Sequence, residues 1–158
     1  MSSTNSELDV TMTDSSALGV AAEASGVRST ALGASSDATM QDASALGVLA
    51  QATGLQSTAL GASANAGAAD SLAAGFNANA AGASAIALGE ESDATGLSAI
   101  ALGGDGGDGD ALGAQATADR ATALGADAVA SGADSFAGAA GAIPRTHQRS
   151  RWAATAAM

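Results

Sequence analysis

The sequence predicts an all-β protein, a parallel β-solenoid whose coils are fourteen residues long and contain two short strands each. Three observations predict this fold. Glycine recurs at a fixed interval, two segments within each interval alternate between small or apolar and polar residues, and the apolar content is mostly alanine. A chain with this kind of period stacks similar units on one another and has no single central core.

The composition excludes an ordinary globular core. The 158 residues include one Trp, two Phe, no Tyr and 21 Gly, and the hydrophobic fraction of 47% is mostly Ala. A methyl group is too short to fill the space between layers at normal packing density, so the layers must lie unusually close together. Disorder goes with low hydrophobicity and no regular pattern, and the regular apolar pattern argues against it.

The register of the repeat is defined by seven glycines, each fourteen residues from the next, which we call the marker glycines. An alanine stands two residues before each marker, and a leucine stands one residue before all of them except at Ala74. Another alanine follows five residues after each of the first six markers. The marker glycines are Gly19, Gly33, Gly47, Gly61, Gly75, Gly89 and Gly103.

Each period contains two segments with the alternation that is typical of strands, for example residues 29–33 and 34–38. We expect the alanines of both segments to face a thin interior and the polar residue of the second segment to face solvent. We also expect positive φ angles in the glycine column between the segments, as in tight turns. This column contains Gly26, Gly54, Gly82 and Gly96.

The first strand of each coil is apolar on both faces, which is typical of a strand that is buried on both sides. Its outward residues would form a contiguous apolar stripe, and stripes of this size mark association surfaces. We therefore predict a homo-oligomer with cyclic symmetry, a dimer or a trimer, that closes through this stripe. The predicted interface residues are Leu18, Leu32, Leu46, Leu60, Leu72, Ile86, Leu88, Ile100 and Leu102.

The outward residues of the second strand form a candidate surface for repeated, shallow contacts, each weak and summed over several coils. Their side chains are a mixture of acids and amides, which argues against the regular threonine array by which some flat solenoids bind ice. The residues of this candidate surface are Glu23, Asp37, Gln51, Asn65, Asn79 and Asp93.

Charge and residue types exclude several classes of function. Sixteen acidic residues lie between Glu7 and Asp134, where only Arg28 and Arg120 oppose them, so this body repels nucleic acid and anionic membranes. No cysteine is present, and the serines and aspartates recur as repeat columns on flat strands. We therefore expect no enzyme, no cofactor and no nucleic-acid partner.

The fourteen-residue spacing breaks after Gly103. We expect the next markers at Gly113 and Gly125, and hence shortened coils with an irregular stretch at 103–113. The Gly- and Asp-rich sequence there partly fits a calcium-binding roll. That pattern needs an apolar residue where Asp110 stands and needs stacked copies, so we predict no metal site. The candidate ligands would be Asp105, Asp108 and Asp110.

We divide the chain into three segments. Residues 1–14 are a flexible start or a cap coil, because Leu8, Val10 and Met12 place large residues in columns that face inward elsewhere. Residues 15–141 form the repeats. Residues 142–158 are a disordered basic tail, which lacks the apolar surface to fold alone. The polar, acidic N-terminus does not resemble a secretory signal, so we expect any export signal to lie outside this sequence.

The repeat unit resembles the head repeat of YadA-type trimeric autotransporter adhesins. The unit Ser-x-Ala-Leu-Gly-x-x-Ala-x-Ala-x-Gly, seen in parts at 57–61 and 89–96, carries the resemblance, which covers roughly residues 15–138. The usual Ser-Val-Ala-Ile-Gly of that family appears here as Ser-Thr-Ala-Leu-Gly.

This resemblance implies a left-handed parallel β-roll that assembles as a homotrimer. It also implies a non-enzymatic adhesin head at the bacterial cell surface or outer membrane, which attaches to host extracellular matrix such as collagen or to other cells. Membrane attachment would depend on a neck, a stalk and an anchor outside this sequence. The alternative is a structural solenoid that acts as a spacer or surface element without a specific ligand.

Overall fold

The computed structural model describes residues 9–10, 13–107 and 112–138. These residues form two nine-stranded sheets in which all neighbouring strands are parallel, and the chain alternates between the sheets at every strand. The described residues include no helix that could cross a bilayer. The prediction of an all-β parallel solenoid with two strands per coil is confirmed.

The first sheet contains the longer strands and begins the repeat unit of each coil. Its strands are β2 (Ser16–Leu18), β4 (Thr30–Leu32), β6 (Ser44–Leu46), β8 (Thr58–Leu60), β10 (Leu72–Ala74), β12 (Ile86–Leu88), β14 (Ile100–Leu102), β16 (Thr122–Leu124) and β18 (Phe136–Ala137). Each pairs with the strand of the next coil in register, so that residues of one column stand side by side.

The second sheet contains two-residue strands. They are β1 (Asp9–Val10), β3 (Glu23–Ala24), β5 (Asp37–Ala38), β7 (Gln51–Ala52), β9 (Asn65–Ala66), β11 (Asn79–Ala80), β13 (Asp93–Ala94), β15 (Gln115–Ala116) and β17 (Val129–Ala130). The backbone of β1 pairs with β3, so the ladder continues to Asp9. The predicted cap residues Leu8 and Met12 lie outside the described residues, and the cap stays a prediction.

The interior is a layer of alanine side chains supplied by both sheets. Ala59 and Ala66, from opposite sheets of one coil, are both fully buried. Some inward columns contain serine, and Ser57 Oγ donates a hydrogen bond to the Gly54 carbonyl oxygen at 2.7 Å. Because its hydroxyl bonds to the backbone of its own corner, Ser57 fits the apolar interior at little cost, whereas the hydroxyl of Ser29 is buried without a hydrogen-bond partner. The expected inward alanine faces are confirmed.

The corners differ from the prediction in one respect. The glycines seven residues after the markers do not have positive φ angles. A Cβ at Gly96 would instead collide with the carbonyl oxygen of Ala118 in the next coil, so glycine is needed there for close approach of two backbones. Positive φ occurs at the marker glycines and at non-glycine residues two and nine positions after them, such as Ser35 (φ 55°) and Asp42 (φ 58°).

The coil after Gly103 is lengthened, and the expected shortened coils are wrong. Ile100 pairs with Thr122, so 22 residues separate the equivalent positions of these two coils. The extra residues lie between Gly103 and Ala114, since the amide of Ala114 donates to the carbonyl oxygen of Gly103 at 3.0 Å. Gly113 is therefore a loop residue and not a marker glycine, whereas Gly125 has the positive φ of the markers.

Candidate functional site

The predicted interface residues all lie on the outward side of the first sheet. We call this surface the leucine face and define it as the first and third residues of strands β2 to β16. Leu32 stands beside Leu46, and Ile86 stands beside Ile100, in columns that run along the solenoid. In the isolated chain Leu18 is 66% exposed and Leu60 is 50% exposed. In a single chain the leucine face is thus a partly exposed surface with a large apolar side chain in every coil, while its first column also contains two serines and three threonines.

The position of the large side chain shifts within this face. In strand β10 the leucine stands at Leu72 and the usual leucine position is occupied by Ala74. In β18 the ring of Phe136 lies over Gly138, which stands at the leucine position of that coil. The large residue therefore moves to the other outward column where the leucine is missing, and each coil keeps at least one large apolar side chain on this side.

The candidate polar residues form one outward column along the second sheet, which we call the polar column. The pairing places Glu23 beside Asp37, and the column continues through Gln51, Asn65 and Asn79 to Asp93. These side chains are partly or fully exposed, while their neighbours in the strand are buried alanines. The sequence prediction of an inward alanine face and an outward polar face is confirmed.

Three consecutive members of the polar column bond to one another. Asn65 Nδ2 donates to Asn79 Oδ1 at 2.9 Å, and Asn79 Nδ2 donates to Asp93 Oδ1 at 2.7 Å. Each bond joins two coils, so the amide ladder reinforces the backbone ladder beneath it. Part of the hydrogen-bonding capacity of this surface is therefore used inside the protein.

Asp37 is the least satisfied member of the polar column. Its Oδ1 atom is buried and accepts no hydrogen bond. Partial burial, and secondly the charge of Glu23 in the preceding coil, raise the pKa of the Asp37 carboxyl above its usual range. The ionised carboxylate is the form that burial penalises.

We expect Asp37→Asn to stabilise the folded protein at neutral pH, by less than about 1 kcal/mol because the carboxylate keeps part of its hydration. The folded protein holds the Asp37 proton more tightly than the unfolded chain, so wild-type stability decreases as pH rises from the unfolded pKa, about 3.9, through the raised folded pKa. Urea unfolding across this window should show that the variant loses this decrease. Asp70→Asn, which removes a charge at an exposed corner, is the matched control and should keep it.

Both arginines of the described residues are paired with aspartates. Arg28 donates from Nε and Nη2 to the two carboxylate oxygens of Asp42, both at 2.6 Å. Arg120 makes the same paired contact with Asp134, with Nη2 donating to Oδ2 at 2.8 Å. Each ion pair joins two neighbouring coils, and its two residues stand at the same corner, in the column that lies nine residues after the marker glycine in a regular coil. The hydrogen bond from Arg28 is the main reason that the pKa of Asp42 lies below its usual value.

The loop at 103–113 does not assemble the candidate calcium ligands within the described residues. Asp105 Oδ1 accepts a hydrogen bond from the amide of Gly107 at 3.0 Å, which is a local turn. Asp108 and Asp110 lie outside the described residues. In the part of the chain that the structure describes, no group of three or more acidic, His or Cys side chains is arranged to hold a metal ion.

Several surface residues were missed by sequence reasoning. Gln115 continues the polar column after Asp93, and Leu124 continues the leucine face after Leu102. The triplet Ala111-Leu112-Gly113 has the Ala-Leu-Gly sequence that ends at most marker glycines, so it predicts a wrong register for the following coils. The signal that could have located these residues is the second triplet, Ala123-Leu124-Gly125, which alone of the two is followed by a corner glycine seven residues later, at Gly132.

The sequence was compared with models of known families. The model of the YadA head domain repeat, which contains two copies, matches residues 11–36, 38–64, 52–78, 66–92, 80–105 and 116–137. The gap between the last two matches contains most of the inserted loop. A comparison with curated proteins finds no significant match.

Proposed function

Because the chain belongs to the family of YadA head domain repeats, an adhesin-type head, we propose that it is the non-enzymatic head of a trimeric autotransporter adhesin at the bacterial cell surface. It would attach to host extracellular matrix, such as collagen, or to other cells. The observation that carries this proposal is the division of each coil into an apolar outer side on one sheet and a polar outer side on the other.

The leucine face supports assembly into a homotrimer. Three chains arranged around an axis parallel to the solenoid would bring their leucine faces together. Full burial of a leucine is worth about 1.5–3 kcal/mol. Since these leucines are already about half buried in one chain, closure would add about 1 kcal/mol per coil, summed over the stack.

We expect Leu60→Asp to weaken or abolish the trimer in sedimentation velocity, because it places a charge in the buried face. Leu97→Asp is the matched control, since Leu97 is 49% exposed, as Leu60 is 50% exposed, but lies at a corner outside the leucine face. The control should sediment as the wild type does. A wild-type head that is a folded, β-rich monomer would contradict the proposed assembly.

The polar column supports attachment, since in such a trimer it lies on the sheet opposite the leucine face and stays accessible. Its contacts would repeat at every coil, with each contact weak and the sum strong. The polar column is a flat surface and not a pocket, so it would bind an extended ligand that contacts several coils at once.

We expect the double substitution Asn65→Arg with Asn79→Arg to reduce solid-phase binding to collagen by about tenfold or more, because avidity depends on adjacent coils. Ser84→Arg with Ser98→Arg adds the same charge at the same spacing on an exposed corner and should bind as the wild type does. Equal loss in both variants would assign the effect to charge and not to the polar column.

A structural spacer is the second candidate, and the amide ladder favours it. Asn65 and Asn79 use their amide donors on neighbouring side chains of the column, which leaves fewer groups for a ligand. Wild-type binding to collagen, fibronectin and cell surfaces that does not exceed a scrambled control would favour the spacer over the adhesive head.

A further inference from the structure

One coil of the leucine face has its large and small side chains in the reverse order. In β2, β4, β6 and β8 a serine or threonine comes first and a leucine third, as in Thr58 and Leu60. In β10 Leu72 comes first and Ala74 third. We call the columns of first and third residues the first column and the third column. The pairing of β10 with β8 and β12 is in register, so the inversion is not a shift of the strand.

The inversion leaves a gap in one column and a protrusion in the other. Ala74 stands between Leu60 and Leu88 in the third column, where it lacks three carbons relative to each neighbour. Leu72 adds the same three carbons to the first column. The side chain of Ala74 is partly exposed, so in a single chain the gap is open to solvent.

A similar inversion in β18 is closed within one chain. Phe136 stands in the first column, and its ring lies over Gly138, which occupies the third position of that coil. The side chain of Leu72 is shorter than a phenylalanine ring, and Ala74 remains partly exposed beside it. The space at Ala74 is therefore left for another chain to fill.

Cyclic symmetry determines which columns of two chains meet. This step rests on the assembly proposed above, in which the leucine faces turn towards a common axis parallel to the solenoids. Rotation about that axis brings the third column of one chain beside the first column of the next chain at the same height. The same columns meet in a ring of two chains and in a ring of three, so each coil meets the equivalent coil of its neighbour.

Under this symmetry the inversion is complementary to itself. Leu60 of one chain meets Thr58 of the next, and one coil further along Ala74 meets Leu72, so both contacts join a large and a small side chain. We propose that Leu72 of each chain fills the gap beside Ala74 of the adjacent chain, and that β10 thereby fixes the axial register of the assembly. With this register, the polar columns of all chains present the same coil at the same height.

A slip by one coil breaks the fit in either direction. If the adjacent chain slides one way, Ala74 meets Thr58, and two small side chains leave a cavity. If it slides the other way, Leu60 meets Leu72, and two leucines occupy a space that holds a leucine and a threonine in the coils before it. The regular coils from β2 to β8 lack this signal, because a slipped leucine there still meets a serine or a threonine.

Two substitutions in the full chain disturb this contact in opposite ways. Leu72→Thr makes both columns small in this coil, and Ala74→Leu makes both columns large. Each installs the residue type that β8 has at the same position, so the solenoid should fold, which circular dichroism checks. In sedimentation velocity we expect each variant alone to assemble about tenfold more weakly than the wild type, because every contact contains a cavity or a steric conflict.

An equimolar mixture of the two variants should recover most of the lost affinity. Where unlike chains adjoin, the unchanged Ala74 meets the unchanged Leu72 in one contact, and the two introduced side chains meet in the other. The matched control mixes Leu72→Thr with Thr58→Leu, which adds its leucine one coil away. Every mixed contact of the control retains either the cavity or a steric conflict, so its affinity should not recover.

The outcomes separate this contact from the assembly on which it rests. If the wild type assembles but the test mixture recovers nothing, the contact between Leu72 and Ala74 is refuted and the assembly stands. Equal recovery in the control mixture would refute the register, because a leucine one coil away would then fit as well. A wild-type chain that stays a folded monomer would refute the assembly and this contact together.

Discussion

Gly61→Ala is expected to destabilise the protein by about 3 kcal/mol or more, from backbone strain and steric conflict together. Gly61 has a φ angle of 134°, which side chains with a Cβ rarely adopt, and a Cβ there would lie 2.5 Å from the carbonyl oxygen of Gly75. That carbonyl belongs to the backbone of the next coil, so relief would require the stack to open. Urea unfolding followed by circular dichroism measures the loss.

Ser63→Gly, two residues further along the same corner, should act in the opposite direction. Ser63 has a φ of 57°, a left-handed conformation that costs an L-residue about 1–2 kcal/mol. Glycine removes that cost but loses about 0.5–1 kcal/mol more in backbone entropy on folding, so we expect a net stabilisation between zero and about 1.5 kcal/mol. Equal destabilisation by both substitutions would refute the assignment of distinct backbone roles to these two positions.

Ala80→Leu should prevent formation of a stable native stack, with a loss at or beyond the upper end of the overpacking range, about 3 kcal/mol. Ala80 is fully buried, and the side chains across the interior are also alanines on continuous backbone ladders. Three additional carbons have no space unless the two sheets separate, and separation in one coil also breaks contacts with both neighbours. Thermal unfolding should show a lost or strongly lowered transition.

Ala83→Leu is the control for the same added volume. Ala83 is exposed at a corner, in the column where other coils contain Leu55 and Leu97. We expect its unfolding midpoint to stay within experimental error of the wild type. A buried leucine at position 80 that is tolerated as well as the exposed leucine at position 83 would mean that the interior is wider than the alanine layer indicates.

The sequence predicts most of this architecture because each inward position has a narrow steric requirement. Ala59 and Ala66 are fully buried between two sheets that lie close together, and only small residues fit there. The alanine columns can therefore be recognised from the sequence alone. The same holds for the alternation around Asp37, where one side of a strand is interior and the other is solvent. The two candidate surfaces follow directly from this alternation.

Other features depend on distances between coils, which a one-dimensional pattern does not contain. The sequence predicts positive φ angles at the corner glycines. Gly96 is instead required because a Cβ there would collide with the carbonyl oxygen of Ala118 in the next coil. The sequence predicts a shortened coil here because Leu112 and Gly113 have the same residue types as a leucine and its marker glycine, although they lie in the inserted loop. Register across an insertion is decided by pairing, as between Ile100 and Thr122, and pairing is a property of three dimensions.

The parallel ladders also determine how the head bears load. The backbone hydrogen bonds between coils, such as the 2.8 Å bond from the Asn65 amide to the Ala78 carbonyl, run along the axis of the stack. A pull between the two ends of one chain therefore loads the hydrogen bonds between coils in series. The short alanine side chains of the interior do not interdigitate between coils, so they add little resistance to this separation. Tension would therefore detach a single chain coil by coil from its loaded end, and an assembly of chains side by side would add a resistance that one chain lacks.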